Sequence, residues 1–249
     1  MPSSALTRNR LRGAGLSVLF AGNPTPRRYV QRREAMIVET HSPEQVVREA
    51  FYDLPAMWNK MKDPLKRLQH RAKVDKRVLL VPQLFPYRSP QGNNWLVAVL
   101  PTKKALNIVP FVWYRGRDTY YRAARVVQDG VCYHISHHVL VQYFARFNRT
   151  DDGLSRLKEF VRENMTFGME YNLDNEEVRV GVTHGYITGT WAVPMEVVQL
   201  TTFVDHGKLY KDQLEQMDRL DQQRADCLRT APRPPGSYVK PWDLPRTTR

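Results

Sequence analysis

The sequence predicts an α+β fold, in which an antiparallel sheet carries packed helices between flexible, basic chain ends. Five strand-like segments with short turns lie between residues 77 and 135, and three more lie between residues 177 and 204. Apolar residues at helical spacing precede, separate and follow these two groups. Because short connections favour antiparallel pairing, we expect a meander followed by a three-stranded unit, both packed against helices.

The N-terminal helical region starts at Ser42, a good N-cap that is followed by Pro43 at the first helical position. Apolar positions continue the helix to Leu54, and Pro55 either ends it or starts another turn. A second helix is predicted over 57–73, with an interruption near residue 63, because proline fits the first turn of a helix better than its interior.

The five strands of the meander are predicted from β-branched and aromatic residues between turn signals. Pro110 indicates an edge strand or a bulge in the third of them. The predicted strands cover residues 77–83, 95–100, 108–114, 118–127 and 131–135.

A central helix is predicted from His137 to about Phe147, with Ser136 as its N-cap. Its core-facing residues fall at helical spacing and are Leu140, Tyr143, Phe144 and Phe147. Its polar face carries one imidazole, one amide and two guanidinium groups, from His138, Gln142, Arg146 and Arg149.

The C-terminal part repeats the combination of helix and strands. A helix from residue 154 to about 165 is capped by polar residues 150–152. Strands are predicted at 177–183, 186–193 and 197–204, and a last helix runs to about residue 228.

The net charge of +13 is concentrated in a few segments. Residues 1–33 contain seven arginines and no acidic residue, and residues 60–77 contain eight basic residues against two acidic ones. We expect one domain over 36–228, with a basic arm or non-native extension at 1–35 and a Pro/Arg-rich tail at 229–249. A cytoplasmic location is expected, or a mitochondrial one if the first 33 residues form a transit peptide. Without a run of eighteen apolar residues, we expect no transmembrane helix and no membrane partner.

The histidines His134, His137 and His138 first suggest a metal site. However, the sequence contains no HExxH or CxxC motif, and the cluster contains no acidic residue. Glycine-rich nucleotide motifs and the GxSxG nucleophile motif are also absent from the sequence. We therefore predict no metal and no cofactor.

Acid–base cleavage of RNA through the ribose 2′-hydroxyl remains a candidate activity, because it needs a base, an acid and cations but no metal. The candidate catalytic residues are His138, Arg146, Arg149 and Thr202. A cationic helix face is the candidate nucleic-acid contact, since phosphates bind Lys and Arg. It consists of Lys66, Arg67, Arg71 and Lys73.

The segment from His138 to Arg146 resembles the HAxxRxxxR helix of small uncharacterised bacterial domains that are similar to RelE-type ribonuclease toxins. Gln142 stands where that pattern has its first arginine. The resemblance implies a metal-independent endoribonuclease, with a functional hydroxyl on the last strand at Thr202.

We therefore predict a protein that binds nucleic acid, with RNA as a better candidate than DNA. The more specific prediction is that it also cleaves RNA without a metal. The alternative is a non-catalytic subunit or scaffold of an RNA-containing or multiprotein assembly, which would have a protein partner. Aromatic residues of the strands either stack RNA bases or fill the core. They are Trp113, Tyr114, Tyr120 and Tyr121.

Overall fold

A computed structural model describes residues 36–102, 105–126, 132–146, 152–172, 176–192, 197–208 and 211–229. The arm predicted at 1–35 and residues 230–249 of the predicted tail lie outside the described residues, as do Phe147 and Arg149.

The described residues form an α+β fold, which confirms the predicted class. The helices are α1 Pro43–Val74, α2 His137–Ala145, α3 Gly153–Glu163 and α4 Lys211–Arg229, with short 3₁₀ turns at Lys76–Val78 and His206–Lys208. The strands are β1 Gln83–Arg88, β2 Asn94–Pro101, β3 Leu106–Arg115, β4 Tyr121–Val126, β5 Cys132–Ile135, β6 Gly168–Asn172, β7 Glu177–Val182, β8 Gly185–Ala192 and β9 Val197–Asp205.

All nine of these strands belong to one sheet, in the order β1-β2-β3-β4-β5-β9-β8-β7-β6. Neighbouring strands are antiparallel except β5 and β9, which pair in parallel from Cys132 with Val197 to Ile135 with Leu200. The predicted meander and C-terminal unit are therefore two halves of a single sheet, joined by this parallel pair.

The helices cover both faces of the sheet. Helices α2 and α3 pack on one face, in a core that includes Leu96, Ile135 and Leu200. Helix α1 packs on the other face, against Trp95 and Val197. Helix α4 packs on this same face through Met217 and Leu220, which contact Tyr186 of β8. These positions follow from the alternation of side chains along each strand.

Helix α1 is continuous over 32 residues, and the predicted break near residue 63 is wrong. Pro55 and Pro64 both lie inside it. An interior proline costs a helix about 3 kcal/mol. However, α1 buries twelve residues along one stripe, and each large apolar side chain that is buried contributes roughly 1.5–3 kcal/mol. A Ser42–Gln45 capping box fixes its start.

The strand predictions need two corrections. The prediction of a first strand over 77–83 is wrong. Residues 76–78 form a 3₁₀ turn, and the side chain of its N-cap Asp75 accepts a hydrogen bond from the amide of Arg77. Leu80, which follows the turn, has a positive φ of 62°. The edge strand β1 instead starts at Gln83. The second correction is β6, a strand that was not predicted, so that the C-terminal part contributes four strands instead of three.

Candidate functional site

The first candidate catalytic residue, His138, lies exposed in the first turn of α2. Its ring lies edge-on to that of His137, with centroids 6.5 Å apart. Gln142, one turn further along the predicted polar face, accepts a hydrogen bond of 2.9 Å from the backbone amide of Phe203. On this face of α2, Gln142 therefore attaches the helix to β9, whereas His138 is exposed to solvent.

Arg146 lies at the C-terminal end of α2 and is held by the sheet. Its Nη1 donates to the backbone carbonyl of His184 at 2.8 Å and forms an ion pair with Asp205 at 2.9 Å. The guanidinium also lies 5.7 Å from the centroid of the Phe203 ring. Burial, and next the charge of Arg146, lower the pKa of His184 below its ordinary value. Arg146 thus anchors α2 to the β7–β8 turn and to the end of β9.

Thr202 lies on the side of the sheet opposite to α2. Its neighbour Phe203 contacts Tyr143 of α2, with ring centroids 5.1 Å apart. Successive side chains of a strand point to opposite faces, so Thr202 points away from α2. The structure therefore does not bring His138 and Thr202 together, and Arg149 lies outside the described residues. The catalytic roles of these residues stay a prediction.

The four predicted nucleic-acid contacts are all exposed and lie close together on α1. We call them the basic face of α1: Lys66, Arg67, Arg71 and Lys73. The opposite side of the helix is buried at Leu65, Leu68 and Ala72, and this burial fixes the direction of the cations. None of the four forms an ion pair with another residue in the described part of the chain.

A groove of about 400 Å³ lies between the β3–β4 turn and the N-terminal ends of α2 and α3. It combines aromatic and cationic side chains, of which only the two tyrosines were predicted from the sequence as base-stacking residues. Its charged and aromatic lining consists of Arg115, Tyr120, Tyr121, His137, Asp152 and Arg156. We refer to this site as the aromatic groove.

The third histidine of the predicted cluster, His134, is buried beneath α1. Its Nε2 lies 2.9 Å from the hydroxyl of Tyr114, which is also buried. Burial lowers the pKa of His134 to about 4 and raises the pKa of Tyr114 to about 12. His134 is therefore neutral at physiological pH. Among the residues that the structure describes, no group of three or more His, Cys, Asp and Glu side chains is placed to hold a metal ion.

None of the described helices combines the length and the apolar character needed to cross a membrane. Comparison with models of protein families finds no match to this chain. Comparisons with curated proteins and with solved structures find no match either.

Proposed function

We propose that this protein binds RNA, and that the basic face of α1 supplies the main contact to the phosphate backbone. The single observation that carries the proposal is the exposure of these four cations on one helix, with no ion pair among the described residues. Cations that form no ion pair can replace the counterions of a nucleic acid, and this exchange supplies most of the non-specific affinity.

The rigidity of α1 supports this proposal. Its buried stripe packs on β2 and β3, so the exposed cations are held on a fixed support. Residues three and four positions apart on a helix are neighbours, which places Arg67 next to Arg71. Lys66 and Lys73 are seven positions apart, which is close to two full turns, so they lie along one side of the helix. A pre-arranged set of charges binds with a smaller loss of conformational freedom than the same charges on a mobile segment.

Single-stranded RNA is favoured over duplex DNA because of the aromatic groove. Specific recognition of RNA mostly uses unpaired bases, which stack on aromatic or arginine side chains. Tyr120 is 49% exposed and stands beside Arg115 in the lining of the groove. A basic helix face and an exposed aromatic ring on one domain suit a ligand that offers both phosphates and unpaired bases.

We propose that the protein binds RNA without cleaving it. Arg146, the cation that would hold the scissile phosphate, is already bonded to Asp205 and to the carbonyl of His184. His138 and Thr202 lie on different sides of the sheet. Labelled RNA incubated with the protein and EDTA should therefore remain intact while it is bound.

The test is binding of labelled single-stranded RNA, measured by fluorescence anisotropy at several salt concentrations. Each phosphate contact on a single strand contributes about −0.7 to the slope of log affinity against log salt. Arg67→Gln combined with Arg71→Gln should therefore reduce the slope by about 1.4.

The matched control is Lys158→Gln combined with Arg162→Gln, which removes two charges at the same four-residue spacing from α3. This pair should change the slope little. Equal effects of the two pairs, or an affinity that does not depend on salt, would exclude the basic face of α1 as the RNA contact.

A further inference from the structure

The aromatic groove has the size and the chemistry of a small-ligand site. Its volume of about 400 Å³ falls within the usual range of such sites, roughly 300–1,000 Å³. It has two cations, Arg115 and Arg156, and a tyrosine ring that is half exposed at its rim.

The ring of Tyr120 stacks on the imidazole of His137, with centroids 5.2 Å apart and an angle of 22° between the planes. One face of the tyrosine is therefore supported by α2. The 49% exposure of Tyr120 leaves a large part of the ring accessible to a ligand. Two nearly parallel rings form a platform that a third planar group can extend by stacking.

The β3–β4 turn fixes this platform. Thr119 adopts a φ of 65°, a conformation that a β-branched residue rarely takes and that costs about 1–3 kcal/mol. The turn is maintained by hydrogen bonds from the amide of Gly116 to the carbonyl of Tyr120 at 2.9 Å and from Arg115 Nε to the carbonyl of Thr119 at 2.9 Å. Asp118 accepts a further hydrogen bond from the amide of Tyr120 at 3.1 Å. The ring is thus held in position before any ligand arrives.

The second tyrosine, Tyr121, forms part of the groove wall. A Cβ atom on Gly153, at the start of α3, would lie only 2.5 Å from the ring of Tyr121, so the ring packs directly on the helix backbone. The guanidinium of Arg115 lies 5.8 Å from the centroid of the same ring. This contact positions the cation beside the platform.

The charge balance of the groove favours an anion. Its carboxylate, Asp152, is the N-cap of α3 and accepts hydrogen bonds from the amides of Leu154 and Ser155 and from the Ser155 hydroxyl, at 2.6–3.0 Å. The hydroxyl of Ser155 in particular lowers the pKa of Asp152. This carboxylate stays ionised, so the two guanidinium groups of Arg115 and Arg156 stand against one negative charge and give the lining a net positive charge.

From this arrangement we propose that the aromatic groove binds one unpaired nucleotide of RNA. The base stacks on the exposed part of Tyr120, and the adjoining phosphate is bound by Arg115 and Arg156. Every base has a flat aromatic face, so stacking of this kind tolerates different sequences. A base inside a duplex is already stacked and cannot enter. The proposal depends on the proposed function and extends it, because it makes the groove the source of preference for single strands.

The experiment compares the affinities of the protein for a single-stranded RNA of about twelve nucleotides and for an RNA duplex of the same length. Both RNAs are labelled, and binding is measured by fluorescence anisotropy. Loss of one base–aromatic stack costs about 1–3 kcal/mol, so Tyr120→Ala should weaken single-strand binding about tenfold. Duplex binding should stay unchanged, because the basic face of α1 still contacts its phosphates. Tyr120→Phe should restore single-strand affinity, whereas Tyr120→Leu, which is apolar but has no ring, should not.

The matched control is Tyr52→Ala, which removes another exposed tyrosine, from α1. It should leave both affinities unchanged. If Tyr120→Ala changes neither affinity, or lowers both equally, the groove proposal is wrong while RNA binding by α1 stands. If the wild type binds neither RNA, the proposed function and the groove proposal both fail.

Discussion

The carboxylate of Asp53, on the buried side of α1, accepts a hydrogen bond of 2.6 Å from the indole Nε1 of Trp95 in β2. The same oxygen accepts a second hydrogen bond of 3.2 Å from the side-chain amide of Asn93. The carbonyl oxygen of that side chain in turn accepts from the backbone amide of Ile37 at 2.7 Å. Asp53 is only 1% exposed, so it links α1, the β1–β2 turn and the segment before α1 from inside the core.

Asp53→Ala should lower the free energy of unfolding by about 3 kcal/mol, because the buried donors of Trp95 and Asn93 both lose their acceptor. Urea denaturation monitored by circular dichroism measures this change. Asp63→Ala is the control on the same helix, since Asp63 is exposed and its removal should change stability by less than about 0.5 kcal/mol. Equal stability of the two variants would contradict the structural role of Asp53.

The ion pair of Arg146 and Asp205 gives a second prediction. Arg146→Ala should lower the free energy of unfolding by about 1–2 kcal/mol, because the carbonyl of His184 and the carboxylate of Asp205 both lose a charged donor. Combining it with Asp205→Ala in a double-mutant cycle should give a coupling energy of at least about 0.5 kcal/mol.

Strict additivity of Arg146→Ala and Asp205→Ala would mean that the pair contributes nothing to folding. RNA affinity of Arg146→Ala should equal that of the wild type in this interpretation. A large loss of RNA affinity with unchanged stability would instead support the catalytic or phosphate-binding role that the sequence resemblance implies.

The buried imidazole of His134 predicts a specific pH dependence of stability. Its pKa is lowered by burial from 6.5 to about 4 in the folded protein. The stability of the folded state with its neutral, buried imidazole is fully present above pH 6.5, where the unfolded chain is neutral at this position too. Between pH 6.5 and 4 the unfolded chain binds a proton that the folded chain does not, so stability falls by about 1.4 kcal/mol per pH unit. From pH 7 to 5, protonation of His134 in the unfolded chain should therefore lower the free energy of unfolding by about 2 kcal/mol.

His134→Gln is the variant that tests this pH dependence, because the amide keeps hydrogen-bonding groups for Tyr114 without titrating. Urea denaturation at pH 7, 6 and 5 should show a smaller loss of stability for the variant than for the wild type. Other groups, such as His184 with its lowered pKa, contribute to both proteins alike. Parallel curves for the two proteins would show that His134 titrates normally.

The proline at position 55 gives a prediction in the stabilising direction. Pro55 is exposed inside the continuous helix α1, so its replacement sacrifices no core packing. Pro55→Ala restores a backbone amide and removes the steric conflict with the preceding turn, and should raise the free energy of unfolding by about 1–3 kcal/mol. Thermal and urea denaturation measure the gain. A less stable variant would show that α1 needs the proline to follow the sheet.

The fold class was accessible from the sequence because periodicity and turn signals are local properties. Ser42 and Ser136 were correctly identified as N-caps, since their side chains accept hydrogen bonds from amides three residues ahead. The continuity of α1 was not accessible in the same way. Pro55 and Pro64 oppose a helix locally, and only burial against a distant part of the sheet overrides that preference.

The candidate functional residues also differ in how far the sequence alone predicts their surroundings. Exposure of the basic face of α1 follows from helical spacing alone, so the sequence was sufficient to predict it. The partners of Arg146, in contrast, are Asp205 and the carbonyl of His184, which are brought together only by the tertiary fold. The aromatic groove likewise depends on a turn with a left-handed threonine, which no simple sequence rule indicates at Thr119.

The parallel pair of β5 and β9 divides the molecule into two stretches of chain, each with strands that pair with near neighbours in sequence. The amide of Ser136 extends the pairing by donating to the carbonyl of Leu200 at 3.1 Å, and its hydroxyl contacts the carbonyl of Thr201, 65 positions away. Contacts between distant positions form late and slowly because a long loop must close first. The two hairpin-rich halves are therefore expected to assemble early and to dock along β5 and β9 in the rate-limiting step of folding, so substitutions at this pair should slow refolding more than substitutions within either half.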